Sequence, residues 1–186
     1  MQTPIRPTTK YAIVQAAFDV FSRDPSASLS EVADRAGVGR ATLHRHFAGR
    51  EDLVRALAMT AIEEMDEAAA TASETADSYS EALQKILTAL IPLGDRHSFL
   101  ALEPVESDPE VAAEFKRQMN EIRDMAEKAK QEGLFDRSVP TDWIARTFDY
   151  LLYAAWESVK AEETTHVQAA DLAWRTLTNG LGKPRE

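Results

Sequence analysis

The sequence predicts an all-α fold, and three observations carry that prediction. Apolar residues recur with a period near 3.6 along almost the whole chain. Runs that alternate apolar and polar residues, as half-buried strands do, are missing. The few glycines and prolines fall between the periodic segments rather than inside them.

The first helix is expected from about Thr9 to Ser22, with Ile13, Ala16, Ala17, Val20 and Phe21 inward, and Asp24-Pro25-Ser26 ends it. Ser28-Leu29-Ser30-Glu31 reads as a capping box, in which the serine hydroxyl accepts from the N3 amide while the glutamate reaches back. A second helix follows to about Arg35, and a third spans about Arg40 to Phe47. Gly49 breaks the chain, and a fourth helix starts near Arg50 and runs past Ala70, with Leu53, Leu57 and Met65 inward. Ser78-Tyr79-Ser80-Glu81 is a second capping box and opens a helix that Pro92 and Gly94 stop. A short segment from His97 to Leu102 precedes Pro104. Asp108-Pro109 places a capping carboxylate before a proline at the first helical position, and that helix ends at Gly133. Pro140-Thr141 opens another, to about Lys160, and a last one covers about Thr165 to Gly180.

The most informative stretch is Leu29–Ala48, LSEVADRAGVGRATLHRHFA, which has the layout of a helix-turn-helix. Gly37 can take positive φ at no steric cost, as a chain reversal this short requires. Ala33 has only a methyl group, so the following helix can approach closely. Val32, Ala36, Val38, Leu43 and Phe47 supply an apolar seam. Arg40, Ala41, Thr42, His44, Arg45 and His46 are then left pointing outward, a short, polar, cationic face suited to a DNA major groove.

The charge is distributed in the same sense. The 186 residues carry a formal net charge of -10, yet residues 1–50 hold seven cations against four anions, a net of +3, which leaves −13 for the rest. A cationic head on an acidic body orients a protein on DNA and keeps its far side away. The chain has no cysteine, which excludes disulfides, cysteine zinc sites and thiol nucleophiles and fits a reducing compartment. No run approaches the ~18–20 apolar residues that span a bilayer, and MQTPIRPTTK lacks the apolar stretch of a secretory signal. The expectation is a soluble, cytoplasmic protein with no membrane association. An all-helical enzyme is disfavoured: there is no phosphate-binding glycine loop, HExxH or nucleophile motif, and His97 and His166 are isolated. No cofactor is expected. His44 and His46 do not make a metal pair, because i,i+2 positions on a helix diverge.

Residues 12–57 resemble the DNA-binding region of the TetR family of bacterial transcriptional regulators. The resemblance rests on Ala16-Ala17 and Phe21 in the first helix, and on Val32-Ala33 through Ala36-Gly37-Val38 across the turn. It continues through Gly39-Arg40-Ala41-Thr42-Leu43-His44-Arg45-His46-Phe47 and closes on Gly49-Arg50-Glu51-Asp52-Leu53. Three positions depart from the pattern. His44 replaces a tyrosine, Gly39 replaces a capping serine, and the loop from Ser22 to Ala27 is short and lacks a glycine.

The resemblance implies an N-terminal three-helix DNA-binding domain over residues 1–50, followed by a larger helical ligand-binding and dimerisation domain over 51–186. It implies a homodimer on a palindromic double-stranded DNA operator, acting as a repressor that a small, largely apolar effector releases. The DNA contacts would come from Arg40, Ala41, Thr42, His44, Arg45 and His46, with Arg50, Ser28 and Lys10 at the backbone. Candidate pocket residues are Phe99, Leu102, Met119, Ile122, Trp143, Tyr150, Tyr153 and Trp156, with His97 and Glu103 as polar points. Taken singly, each of these aromatics is better explained as plain core, and only as a group do they suggest a flat, largely apolar ligand. The dimer seam would use Ile144, Phe148, Leu151, Leu152, Ala155 and Val159, then Ala170, Ala173, Trp174, Leu177 and Leu181. An intramolecular core explains those stripes as well. The alternative function is a helical ligand-binding or interaction protein whose helix-turn-helix no longer reads DNA.

Overall fold

The computed structural model describes residues 8–102 and 108–181, with the backbone alone for 97, 98, 101, 102 and 181. The described residues are helical, with no strand among them. The order is α1 (Thr9–Phe21), α2 (Leu29–Ala36), α3 (Arg40–His46), α4 (Arg50–Ser73), α5 (Tyr79–Leu90), α6 (Gly94–Leu102), α7 (Pro109–Glu132), α8 (Thr141–Lys160) and α9 (His166–Leu181).

The caps expected at α2 and α7 are in place, whereas the second expected capping box forms only in part: Ser78 Oγ accepts from the Glu81 amide at 3.1 Å, but the Glu81 carboxylate accepts from the Asp77 amide at 2.9 Å rather than from Ser78. Ser28 Oγ accepts from the Glu31 amide at 3.3 Å while the Glu31 carboxylate accepts from the Ser28 amide at 2.7 Å. Asp108 accepts from the amides of Glu110 and Val111, with Pro109 in the first turn of α7. A cap the sequence alone does not reveal covers the start of α5: Glu132, at the end of α7, accepts from the amides of Tyr79 and Ser80, each at 2.9 Å. Those bonds hold the Glu132 carboxyl below its usual range.

The helix α5 ends at Leu90, ahead of Pro92 as expected, but the next helix begins at Gly94 rather than at His97. Ile91–Leu93 form a 3-10 turn with Pro92 at its start, where a missing N–H costs nothing, and α6 begins at Gly94. Gly94 is required by packing, not by its φ. A Cβ there would lie 1.4 Å from Cδ1 of Trp156, so the indole occupies the space a side chain would need.

The core runs continuously from α1 into the last helices. Ile13, Phe18, Leu53, Leu57, Leu83, Leu87, Phe148 and Leu177 are all 4% exposed or less. The helix α4 starts beside α3, and its buried face carries Leu53, Leu57, Ala58, Ala61, Ile62 and Met65. Its 24 residues span about 36 Å, and it packs on α1 at one end and on α5, α6 and α7 along its length.

Candidate nucleic-acid interface and body cavity

The turn between α2 and α3 is fixed by Gly37, which sits at φ 68° and ψ 29°. Its amide donates to Asp34 O, and the Val38 amide donates to Ala33 O at 3.0 Å, which satisfies the last carbonyls of α2. Val32 and Ala33 are fully buried, and Leu43 and Phe47 nearly so. These contacts set the face of α3 that remains in solvent. Arg40, Ala41, His44 and Arg45 are exposed, and Thr42 and His46 are half-buried.

Arg40 and Arg45 make no hydrogen bond or ion pair with any described residue, whereas the nearby Arg23 and Arg35 are both held by Asp19. The two guanidinium groups on α3 therefore keep their full donor capacity for an outside acceptor. Lys10, in the first turn of α1, is exposed, with its ammonium 5.8 Å from the centre of the Phe47 ring.

Two residues expected at the DNA backbone have other work. Arg50 turns inward: it donates to Ala27 O at 2.7 Å and to Pro25 O, with its guanidinium 4.2 Å from the centre of the Phe21 ring. It braces the short loop that lacks the family's glycine. Ser28 spends its hydroxyl on Glu31 as the cap of α2. The same bonds hold the Glu31 carboxyl low, the Ser28 amide first.

A cavity of about 600 Å³ lies between α4, α5, α7 and α8. Of the pocket residues expected from sequence, Met119, Ile122 and Tyr150 line it. Phe99 lies in the core, edge-on to Phe18 at 5.6 Å. Trp143 faces solvent and is 61% exposed. Tyr153 and Trp156 form a tilted pair away from the cavity, with Trp156 against Gly94. Glu103 and the side chains of His97, Leu102 and Leu181 lie outside the described residues.

The α4 wall (Met65, Asp66, Ala69, Ala70) and Phe115, Arg117 and Met125 of α7 are lining residues not expected from sequence. Methionines and alanines make much of this wall, and a small or flexible side chain on a helix carries no sequence mark of a cavity. Phe148 and Leu152, expected at a dimer seam, also line the cavity. Ile144, Ala155, Ala170, Ala173 and Leu177 are buried in the chain's own core, the alternative open from sequence. Leu151, Val159 and Trp174 are half-buried against that core. The large apolar groups that α8 and α9 leave outside are Trp143, Tyr150, Val167 and Leu172.

No helix among the described residues is long and apolar enough to cross a membrane, and no group of three or more potential metal ligands occurs among them.

Comparison with known proteins agrees with this layout. Residues 13–57 match the family described as bacterial regulatory proteins, tetR family. The chain is 32% identical over 182 residues to the HTH-type transcriptional repressor LfrR of Mycolicibacterium smegmatis, covering 97% of this chain and 94% of that protein. The crystal structure of LfrR in complex with proflavine superposes with a TM-score of 0.80 over 95% of this chain and 97% of that one. The ketosteroid regulator KstR2 of Mycobacterium tuberculosis shares the fold at 19% identity, with a TM-score of 0.77 over 98% of each chain. An N-terminal helix-turn-helix, a helical body and a repressor relative along nearly the whole length lead to one conclusion: the chain belongs to the TetR family of bacterial transcriptional regulators.

Proposed function

We propose that the protein is a cytoplasmic repressor that binds a palindromic DNA operator as a homodimer and leaves it when a small, largely apolar ligand enters the body cavity. The observation that carries this reading is the path of α4. It starts beside α3, packs on α1, and then forms one wall of the cavity. A ligand that alters the seat of α4 thus acts on the helix that follows the reading helix directly in the chain and packs on α1 of the same head. Its effect is limited to the ratio of its affinities for the two arrangements.

In this reading residues 1–50 form the DNA-binding unit and 51–186 the ligand-binding and dimerising unit. Arg40 and Arg45 contact bases or phosphates, supported by Ala41, Thr42, His44 and His46, with Lys10 on the backbone. Two protomers meet through α8 and α9, which carry the exposed apolar side chains Trp143, Tyr150, Val167 and Leu172. The cavity has the size and apolar lining of small-molecule sites. Proflavine, the ligand in the LfrR complex, is a fitting first probe.

The test is selection of bound duplexes from a random DNA pool, followed by release with proflavine. Inverted repeats bound by two protomers, and released by the dye, support the proposal. Sequence-independent binding, or a monomer on each duplex, overturns it.

A further inference from the structure

The wall of the cavity contains one charged knot, and it spans α4 and α7. Arg117 of α7 donates to three carboxylates: Glu114 at 2.7 Å, Glu121 at 2.8 Å, and Asp66 of α4. The neighbouring Gln118 donates to the other oxygen of Asp66 at 2.6 Å and to Ile62 O of α4 at 3.1 Å. Asp66, Arg117, Gln118 and Glu121 all line the cavity, as does Asp149 of α8. The described lining thus holds three carboxylates against a single guanidinium, with no lysine or histidine. Around that charge stand Met65, Met119, Met125, Phe115, Phe148 and Tyr150. Sulfur and ring faces suit a flat, polarisable body, and the ring faces also attract cations.

We infer that the cavity takes a planar organic cation whose N–H groups replace Arg117 at Asp66 and Glu121, and that this exchange unties α4 from α7. The inference rests on the effector reading above and names the ligand class and the residues that report its arrival. Arg117 acts as the built-in occupant of the carboxylate site. With the cavity empty its guanidinium ties α7 to the helix that begins at the reading head. A ligand cation satisfies the same carboxylate oxygens from the cavity side, the guanidinium is displaced toward Glu114 and solvent, and the charged Arg117–Asp66 link of the α4–α7 tie is lost. A neutral molecule of the same shape fills the space without breaking the tie.

The test uses the full chain and two probes of one ring frame: 9-aminoacridine, a cation with N–H donors at neutral pH, and acridone, which is neutral. Binding of each is read by fluorescence on the unmodified protein and on Asp66→Asn and Arg117→Gln. The expected result is a preference for the cation of about tenfold. Asp66→Asn removes that preference, and Arg117→Gln raises it, since the competing guanidinium is gone. Acridone affinity stays level in all three proteins, which shows that the cavity is intact. Both variants weaken binding to a selected operator in the absence of probe, because each cuts the tie. A merely structural role would move the cation preference of both variants in the same direction. Equal affinity for the two probes, or a cation preference that survives Asp66→Asn, overturns the inference and leaves the effector reading standing. Failure of both probes to enter overturns both the inference and the cavity as the effector site, while DNA binding is judged separately by the duplex selection.

Discussion

Replacing Arg96 with methionine cuts the junction between the head and the body at a single side chain. Arg96 of α6 donates to Glu64 of α4 at 2.7 Å, to Gln15 of α1 and to Asp95, and its guanidinium lies 4.4 Å from the centre of the Phe18 ring in α1. Gln15 completes the triangle by donating to Glu64 at 3.2 Å. Burial alone would push the Arg96 guanidinium down. The hydrogen bond to Glu64 and the charges of Asp95 and Glu64 more than offset it, so it lies above the ordinary arginine value. The side chains of Arg96 and Glu64 are 15% and 26% exposed, so the pair sits between a surface bridge and a buried one. Exposed pairs contribute about 0–1 kcal/mol, and breaking a buried pair costs about 3–5 kcal/mol. An intermediate value with the ring contact added is about 2–3 kcal/mol. For a chain of this size that lowers the midpoint of thermal unfolding by about 5–10 °C and leaves the fold populated. The assay is urea unfolding of the wild type, Arg96→Met, Glu64→Gln and the double variant. A coupling energy of about 1–2 kcal/mol between the two sites is expected. Arg96→Lys restores less than half of the loss, because an ammonium cannot match the guanidinium fork or its stacking. Stability of Arg96→Met within about 0.5 kcal/mol of the wild type would refute the reasoning.

Two further predictions concern single residues. Gly94→Ala must displace the Trp156 indole, so it should destabilise by about 1–3 kcal/mol through overpacking, read by urea unfolding. A second substitution, Trp156→Ala, should recover part of that loss, and additive losses would contradict the packing argument. Glu132 has a carboxyl held low by the amides of Tyr79 and Ser80, so its contribution is present above the unfolded-state value and lost as pH falls through the folded one. Stability measured along an acid titration should therefore fall less steeply for Glu132→Gln than for the wild type, with the two curves converging at low pH; parallel curves would contradict this.

The features that were legible in the sequence are those fixed by neighbours in the chain. Gly37 at the turn, the Ser28–Glu31 box and the Asp108–Pro109 start each depend on a few consecutive residues, and each stands where it was expected. Features fixed by distant partners were not legible. Arg50 is a cation at a family position, but its acceptors lie 23 and 25 residues away on a loop that had to be seen in place. Gly94 read as a helix stop because its neighbour Trp156 comes from another helix. The stripes on α8 and α9 showed correctly that one side is buried. Periodicity does not say against what, and Phe148 and Leu152 turn to the chain's own core and cavity rather than to a partner surface. Of the cavity's lining, Met119, Ile122 and Tyr150 were expected from sequence. Its α4 wall is built from a methionine, small alanines and the carboxylate of Asp66, which sequence alone does not distinguish from ordinary helix surface.

The most direct measurement is the affinity of a selected duplex for the wild type and for Arg40→Ala/Arg45→Ala, each taken across a range of salt. Both guanidinium groups are exposed and have no partner among the described residues, so their removal should leave unfolding unchanged. The account predicts that the double variant loses specific binding by at least about 100-fold and that the dependence of log affinity on log salt becomes shallower by about two phosphate contacts where both arginines meet the backbone. Equal affinity and an unchanged salt slope in a fully folded double variant would contradict the claim that α3 reads DNA through these two residues.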